Sequence, residues 1–149
     1  MAPQIELCEV TSGNWRAVAE LELADAQRGF AGPVTRYLCL CHYGGVWHPL
    51  AVCSGDQTVG FVMWAIDPDD RSGWIGGLVI DRRRQREGFG RATVQALAAR
   101  LAADGCGSVA LSYLPGNSVA RALYLSLGFE ETGEMEDDEV VARRRHPAP

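Results

Sequence analysis

Short apolar runs bounded by glycine, proline, serine and aspartate recur along the chain, and their length and residue types are typical of β-strands. The tetrapeptide "SGDQ" joins two of these runs closely enough to predict a hairpin. Another run, "WIGGLVI", contains a glycine pair that weakens regular pairing and predicts a β-bulge. Strands are therefore predicted at 5–10, 49–53, 58–66, 74–80, 108–113, 129–135 and 138–144.

Other segments carry apolar residues at the 3.6-residue spacing of an amphipathic helix. In the last of them Asn117 or Ser118 can cap the start, and Gly128 suits the left-handed position that follows a helix. The stretch 25–48 is less regular, with a short helix at 34–43 as one possibility. Helices are otherwise predicted over 11–23, from 89 to about Gly105, and over 117–129.

The order of these elements is informative about the fold class. Strands come first, and the chain then alternates strand, helix, strand, helix, strand, strand. This order predicts an α/β or α+β domain around one mixed sheet. A chain of 149 residues has room for one domain with a substantial core, so residues 1–149 are expected to form a single domain.

Composition argues against several classes of protein. The formal net charge of −5 disfavours a nucleic-acid-binding protein, and no apolar run approaches the roughly 20 residues of a membrane span. The N-terminus lacks the basic and apolar regions of a secretory signal, so a cytoplasmic location is expected. Five cysteines occur at irregular spacing, and no second ligand cluster accompanies "CLCH", so no metal site is predicted.

Residues 81–92, "DRRRQREGFGRA", place several arginines and two glycines between a predicted strand and a predicted helix. The first N–H groups of a helix lack partners and attract anions, and Gly88 and Gly90 let the backbone approach closely. The stretch has Thr93 where a dinucleotide fingerprint needs a third glycine, and the chain has no lysine for a Walker A loop. It therefore predicts a diphosphate site, with a solvated basic turn as the alternative. Positive charge would come from Arg84, Arg86 and Arg91.

The same stretch resembles a family motif. "QREGFGRA" is similar to the Gln/Arg-x-x-Gly-x-Gly/Ala motif of the GNAT superfamily of N-acetyltransferases, with Gln85, Gly88 and Gly90 at its defining positions. In that family the motif binds the pyrophosphate of acetyl-coenzyme A, and "GGLVID" resembles the strand that pairs with the pantetheine arm. "NSVARALYLSLGF" resembles the second signature, Asn-x-x-Ala-x-x-Leu-Tyr-x-x-x-Gly-Phe. Two motifs in the family's order imply an acetyl-CoA-dependent N-acetyltransferase.

The resemblance also implies a fold and a set of roles. It implies a mostly antiparallel twisted sheet of six or seven strands with about four helices and a splayed, bulged strand at 74–80. It divides the chain into a substrate-side part at 1–57 and an acetyl-CoA-binding core at 58–140. Tyr124 is implied as the general acid on the thioester sulfur, with a core tyrosine as the alternative, and the Leu78 N–H is the candidate oxyanion donor. Acetyl-CoA contacts are expected from Leu78, Val79, Ile80, Gln85, Arg86, Glu87, Gly88, Phe89, Gly90, Arg91, Asn117, Ala120 and Tyr124.

Acidic residues concentrate away from the arginines, at 20–25 and along 130–139. Their charge would attract a cationic amine. The ending "GFEETGEMEDDEVVAR" also resembles that of bacterial diamine and polyamine (spermine/spermidine) acetyltransferases. A small polyamine-like primary amine is therefore the expected acceptor. Substrate contacts are expected from Glu20, Glu22, Asp25, His48 and Glu139.

The sequence leaves alternatives for the reaction. The general base could be His48, an acid at 20–25, or water alone. A polycationic antibiotic would suit the same charges as a polyamine. A module that binds acetyl-CoA without turnover is a further alternative, which an intact Tyr124 disfavours. Dimers are common in the family, so a homodimer is an expectation.

Overall fold

The computed structural model describes residues 2–146. In this part of the chain seven strands and four α-helices follow the predicted order, with two 3-10 turns at Asp25–Gln27 and Arg82–Arg84. The strands are β1 (Glu6–Glu9), β2 (His48–Ser54), β3 (Gln57–Ile66), β4 (Gly73–Ile80), β5 (Ser108–Tyr113), β6 (Glu130–Glu136) and β7 (Glu139–Arg145). The helices are α1 (Trp15–Ala19), α2 (Val34–Gly44), α3 (Phe89–Ala103) and α4 (Ser118–Ser126).

All seven strands join one sheet in the order β1-β2-β3-β4-β5-β7-β6. Neighbouring strands are antiparallel except β4 and β5, which are parallel. These two strands pair only at Gly73↔Val109 and Trp74↔Ala110, so beyond Trp74 they separate and leave a gap in the sheet. The mixed, mostly antiparallel sheet and the splayed β4 confirm the predicted fold.

β4 also carries the predicted bulge. Phe61 on β3 pairs with Val79 on β4, and Met63 pairs with Gly76. Two steps along β3 therefore correspond to three steps along β4. The extra residue bends β4. Gly77 has a φ of +60°, which side chains disfavour. A Cβ on Gly76 would lie 3.1 Å from the ring of Trp47, so the glycine pair also makes room for that indole.

The sheet separates two apolar clusters. One face packs against α3 and α4, and the other packs against α1 and α2. Leu111 and Tyr113 belong to the α3–α4 cluster. Because successive strand residues point to opposite faces, Ser112 between them points toward the α1–α2 face. The two faces therefore offer different side chains at the gap between β4 and β5.

α1 is shorter than the predicted helix over 11–23, because it ends at Ala19. The chain beyond it is held by the segment that follows β4. The N–H of Glu22 donates to the carboxylate of Asp81 (3.1 Å), and the N–H of Arg82 donates to the carbonyl of Glu22 (2.9 Å). These contacts fix a non-helical path that local periodicity does not reveal. The short helix that the sequence left open over 34–43 is present as α2.

No helix within residues 2–146 is long and apolar enough to cross a membrane. In the same residues no cluster of three histidine, cysteine or acidic side chains is arranged to hold a metal ion. The five cysteines are free thiols. The chemistry of the described chain therefore has to be sought in its cavities and hydrogen-bonded side chains.

Candidate active site

A cavity of about 1160 Å³ occupies the gap between β4 and β5. Its lining includes Leu111 and Tyr113, from the α3–α4 face of the sheet. It also includes Met63 and Tyr37, from the α1–α2 face. The cavity therefore passes through the sheet, so two ligands can reach its centre from opposite faces.

The segment 81–91, here called the glycine loop, leads from β4 into α3 and forms part of the cavity wall. Arg86 and Gly88 adopt left-handed φ angles of +65° and +85°, which curl the backbone. Ala92 is the first residue of α3 whose N–H reaches a carbonyl of the loop, that of Gly88 (3.1 Å). The amides before it lack an intrahelical acceptor, and the helix dipole adds partial positive charge. The loop therefore has the backbone geometry of an anion site.

The arginines of this loop differ in their partners. Three of them pair with carboxylates, whereas Arg86 has no carboxylate partner within residues 2–146. Arg91 donates to the hydroxyl of Ser126 (2.6 Å). Arg86 and Arg91 both line the cavity, while the charge of Arg84, predicted to act on an anion, is offset by Glu87. The carboxylate pairs are Arg82–Glu22 (3.1 Å), Arg83–Asp81 (2.9 Å) and Arg84–Glu87 (2.9 Å).

Most residues predicted to contact acetyl-CoA line this cavity, with Val79 and Glu87 as the exceptions. The Val79 side chain is fully buried in the α1–α2 cluster, and the Glu87 side chain faces Arg84. Gln85 lines the cavity, yet its side-chain nitrogen donates to the carbonyl of Ile80 (2.6 Å). Gln85 therefore fastens the glycine loop to the end of β4. The other lining residues from the prediction are Leu78, Ile80, Arg86, Gly88, Phe89, Gly90, Arg91, Asn117, Ala120 and Tyr124.

The rings of Tyr113 on β5 and Tyr124 on α4 are neighbours in the cavity wall, with centroids 5.7 Å apart. The hydroxyl of Tyr113 donates to Glu131 (2.7 Å), which also accepts from Arg121 (2.8 Å). The hydroxyl of Tyr124 has no hydrogen-bond partner among residues 2–146. Burial, followed by the negative charge of Glu139, raises the pKa of Tyr124 to about 12. Tyr124 thus offers the cavity a hydroxyl that stays protonated at neutral pH.

The position of Tyr124 follows from the two ends of α4. The side chain of Asn117 accepts from the N–H of Ala120 (3.3 Å), so it caps the start of the helix. Gly128 has a φ of +89°, and the N–H of Phe129 donates back to the carbonyl of Tyr124 (3.1 Å). The buried Phe129 ring lies 6.1 Å from the Tyr124 ring. The capping pattern read from the sequence therefore orients this side chain.

The acidic run at 130–139 divides into paired and unpaired residues. Glu131 pairs with Arg121, and Glu134 pairs with Arg143, both at 2.8 Å. The last four acids, residues 136–139, are here called the acidic turn. They all line the cavity, and none has an arginine partner within residues 2–146. Negative charge is therefore left uncompensated at this part of the wall.

Among the predicted substrate contacts, Glu139 lines the cavity and the other four do not. The carboxylates of Glu22 and Asp25 pair with nearby arginines instead, and Glu20 is exposed where α1 ends. His48 stacks on a neighbouring tryptophan, with ring centroids 4.3 Å apart. The sequence predicted a helix over 11–23 beside these acids, whereas α1 ends at Ala19. Substrate contact by Glu20, Glu22, Asp25 and His48 stays a prediction.

Several lining residues were not foreseen from the sequence. Tyr37, Trp47 and Trp74 bring aromatic rings to the cavity. The side-chain carbonyl oxygen of Gln27 is buried at its wall and accepts no hydrogen bond within residues 2–146. Aromatic faces attract cations, and a buried acceptor favours an N–H donor. For Tyr37 and Trp47, the signal in the sequence was the number of aromatic residues in the less regular stretch 25–48.

The sequence profile of the "Acetyltransferase (GNAT) family" matches residues 15–129. The chain belongs to the acetyltransferase (GNAT) family. This membership confirms the predicted class of enzyme, an acetyl-CoA-dependent N-acetyltransferase, and agrees with the observed α/β fold. The matched region includes the glycine loop and α4, the two segments that the sequence motifs identified.

Individual relatives of this GNAT chain act on different acceptors. It is 29% identical over 144 residues to a spermine/spermidine N(1)-acetyltransferase of Bacillus subtilis, covering 89% of this chain and 91% of the relative. It resembles the structure of a spermidine N-acetyltransferase from Vibrio cholerae in complex with CoA and spermine (TM-score 0.73, 18% identity, 94% and 93% coverage). It also resembles the ribosomal-protein-S18-alanine N-acetyltransferase from Escherichia coli (TM-score 0.71, 18% identity, 95% and 94% coverage). The shared fold therefore does not select the acceptor.

Proposed function

We propose that this GNAT enzyme transfers the acetyl group of acetyl-CoA to a primary amine of a small polycation, by direct attack in a ternary complex. The observation that carries the proposal is the cavity through the sheet, which joins the positively charged glycine loop to the acidic turn. Opposite charges in one cavity suit an anionic donor and a cationic acceptor that meet between β4 and β5.

The residues of the chain suit acetyl-CoA. Bound there, it would supply an activated acetyl thioester. The free amides at the start of α3, with Arg86 and Arg91, suit its diphosphate. The gap beyond Trp74 leaves an edge of β4 unpaired, which suits the amide groups of the pantetheine arm. Expected contacts from Val79 and Glu87 would have to come from their backbone.

Two groups of the chain suit the chemical step. Because of the bulge, Leu78 has no partner in the pairing of β3 and β4. Its N–H can therefore donate to the thioester oxygen, which gains negative charge during the reaction. The free hydroxyl of Tyr124 can give its proton to the departing sulfur. Because its pKa is raised to about 12, Tyr124 keeps that proton until the carbon–sulfur bond begins to break.

The acceptor side supports a small polycation. The acidic turn provides uncompensated carboxylates, and Tyr37 and Trp74 add aromatic faces, so a chain of ammonium groups would be attracted along this wall. The names of the curated relatives point to the same acceptors. A polyamine such as spermidine is therefore the substrate class we propose.

The direct test compares kcat/KM for spermidine, a monoamine and a neutral amino acid, each at low and high salt. Spermidine should be preferred, and its KM should rise with salt because charge attraction is screened. Equal values for all three acceptors at both salt concentrations would contradict the proposal. An aminoglycoside in the same panel tests the alternative acceptor, a polycationic antibiotic. The acidic turn would attract its ammonium groups as it would those of a polyamine.

A module without turnover makes a different prediction for the same panel. It would bind acetyl-CoA and release no free thiol with any amine. The unpartnered hydroxyl of Tyr124 supports turnover, since a purely structural tyrosine is better served by a partner such as the one Tyr113 has. Thiol release with spermidine, above the rate without amine, would exclude the non-catalytic alternative.

A further inference from the structure

Glu139 differs from the other acids at the cavity. It begins β7, and its Oε1 accepts a hydrogen bond from the hydroxyl of Ser112 on β5 (2.8 Å). Its side chain is half-buried, whereas the other members of the acidic turn, 136–138, are exposed. Glu131 and Glu134 are already paired with arginines. Within the described chain Glu139 therefore combines access to the cavity, partial burial and a fixed carboxylate.

The strand register places the side chain of Glu139 on the α1–α2 face of the sheet. On β5, Tyr113 belongs to the α3–α4 cluster, so Ser112 points to the opposite face of the sheet. Ser112 pairs with Val141 on β7, and Glu139 lies two residues before Val141, so it points to the same face as Ser112. An amine that enters from the α1–α2 face would meet this carboxylate.

Glu139 also lies near the hydroxyl of Tyr124, which is proposed to give its proton to the departing sulfur. Its negative charge contributes, after burial, to the raised pKa of Tyr124. The two side chains approach the cavity from different faces of the sheet, Tyr124 on α4 and Glu139 on β7. A proton donor and a proton acceptor therefore reach one cavity from opposite faces of the sheet.

We infer that Glu139 holds the attacking amine and accepts the proton that nitrogen loses on acylation, while Ser112 positions its carboxylate. This inference rests on the proposed function. The ammonium first gives one proton to solvent. As the nitrogen–carbon bond forms and the carbon–sulfur bond breaks, the nitrogen gives a second proton to Glu139, and the sulfur takes a proton from Tyr124. The proton on Glu139 then returns, through solvent, to Tyr124.

Titratable groups face Glu139 from three neighbouring elements. Glu136 lies directly across from it on β6, Tyr124 faces it from α4, and Tyr37 lies near Tyr124 on the cavity wall. No arginine within residues 2–146 forms an ion pair with Glu139.

Replacement of Glu139 tests the inference with spermidine and acetyl-CoA. Glu139→Gln should lower kcat roughly a hundredfold or more, within the range for a lost general base, and leave CoA affinity unchanged. Glu139→Ala should regain part of the lost rate when formate is added, because formate can replace the missing carboxylate. The matched control is Glu130→Gln, an exposed acid on the same hairpin that does not line the cavity. It should keep the full rate and show no response to formate.

Ser112 requires its own variants, because it acts through Glu139. Ser112→Ala should lower kcat by a smaller factor than Glu139→Gln, and Ser112→Thr, which keeps the hydroxyl, should restore it. Equal loss in both serine variants would show that packing, not the hydrogen bond, matters. That result would overturn the positioning role.

Two outcomes separate this inference from the proposed function. If the wild type acetylates spermidine while Glu139→Gln keeps its kcat, the role of Glu139 is overturned and the function stands. If the wild type acetylates no polyamine, the function is overturned. Calorimetry of spermidine binding to the CoA-saturated protein then still tests Glu139, since binding should weaken in Glu139→Gln and not in Glu130→Gln. Equal binding in all three proteins would overturn the inference without any activity measurement.

Discussion

The glycine loop and the acceptor wall are two regions of one cavity that are built differently. The glycine loop is one continuous segment, 81–91, whose shape depends on left-handed residues and a helix start. The acceptor wall combines Tyr37 from α2, Trp47 before β2 and the acidic turn between β6 and β7. Local backbone rules therefore determine the first region, whereas the sheet topology assembles the second.

Because the two regions are built separately, a substitution in one region should affect the binding of one ligand and leave the other unchanged. A change in the glycine loop should affect the anionic donor, and a change in the acidic turn should affect the cationic acceptor. Tyr124 lines the gap between β4 and β5, and Asp81 begins the glycine loop at the end of β4. Variants at these two residues should affect chemistry or folding rather than either binding event.

The largest effect is expected at Tyr124. Tyr124→Phe removes the free hydroxyl while the ring stays packed against Phe129, so kcat should fall roughly tenfold to a thousandfold. Affinities for acetyl-CoA and spermidine should stay within about twofold, because the proposed role of the hydroxyl is confined to the departing sulfur. Steady-state kinetics and calorimetry measure both quantities.

Tyr113→Phe is the matched control for that change. Its hydroxyl is bound to Glu131, so the variant should lose stability and keep kcat within a few-fold. If Tyr113→Phe lost as much kcat as Tyr124→Phe, the roles of the two tyrosines would need to be exchanged.

The next effect should be confined to the glycine loop. Gly88 has a φ of +85°, and a Cβ there would lie 3.2 Å from Pro3. A β-branched residue at such a φ costs about 1–3 kcal/mol, so Gly88→Val should weaken acetyl-CoA binding roughly tenfold to a hundredfold. Gly105→Val is the control, because Gly105 has a φ of +97° at the other end of α3 and no neighbour within 4 Å. Equal weakening in both variants would show that general strain, not the anion site, is responsible.

The contrast between the regions also explains what the sequence revealed. The bulge at Gly76 and Gly77, the caps of α4 and the glycine loop all follow from short-range patterns, so they could be predicted. The helix predicted over 11–23 was too long, because the hydrogen bond between Glu22 and Asp81 holds the chain beyond Ala19 on a non-helical path. Contacts between distant segments leave no local pattern.

The acceptor wall shows the same limit. The charge of the run 130–139 was visible in the sequence, but which acids were paired depended on Arg121 and Arg143. The side chain of Trp47 reaches the cavity because the bulge at Gly76 makes room for it. Which side chains form the acceptor wall therefore depends on the order of the strands in the sheet, and the residue pattern alone does not reveal that order.

A smaller effect is expected from the acidic turn. Changing Glu136, Asp137 and Asp138 together to their amides should raise KM for spermidine roughly three- to tenfold, since exposed charges are each worth below about 1 kcal/mol. Asp137 has a φ of +52°, which asparagine tolerates. The KM for acetyl-CoA should not change, and the salt dependence of the spermidine KM should flatten. Glu130→Gln should behave like the wild type, and an unchanged salt dependence in the triple variant would remove the role of the acidic turn.

The smallest effect on activity, with a clear effect on stability, is expected at Asp81, which ties the glycine loop to the segment after α1. Its buried carboxylate accepts from the N–H of Arg83 in the glycine loop (2.9 Å) and from the N–H of Glu22 after α1 (3.1 Å). Burial alone would raise the pKa of Asp81, but the hydrogen bond from the Arg83 guanidinium (2.9 Å), together with these two backbone N–H groups, outweighs burial and lowers the pKa to about 2. Because an unfolded aspartate has a pKa of about 3.9, the carboxylate stabilises the fold by at most about 2 kcal/mol above pH 4, and this contribution disappears as the pH falls toward 2. Asp81→Asn should therefore lower Tm by roughly 4–8 °C at neutral pH, and the Tm values of variant and wild type should converge as the pH falls toward 2. Thermal melts between pH 2 and pH 7 measure the difference, and a gap that stayed constant across this range would show that Asp81 does not act through its charge.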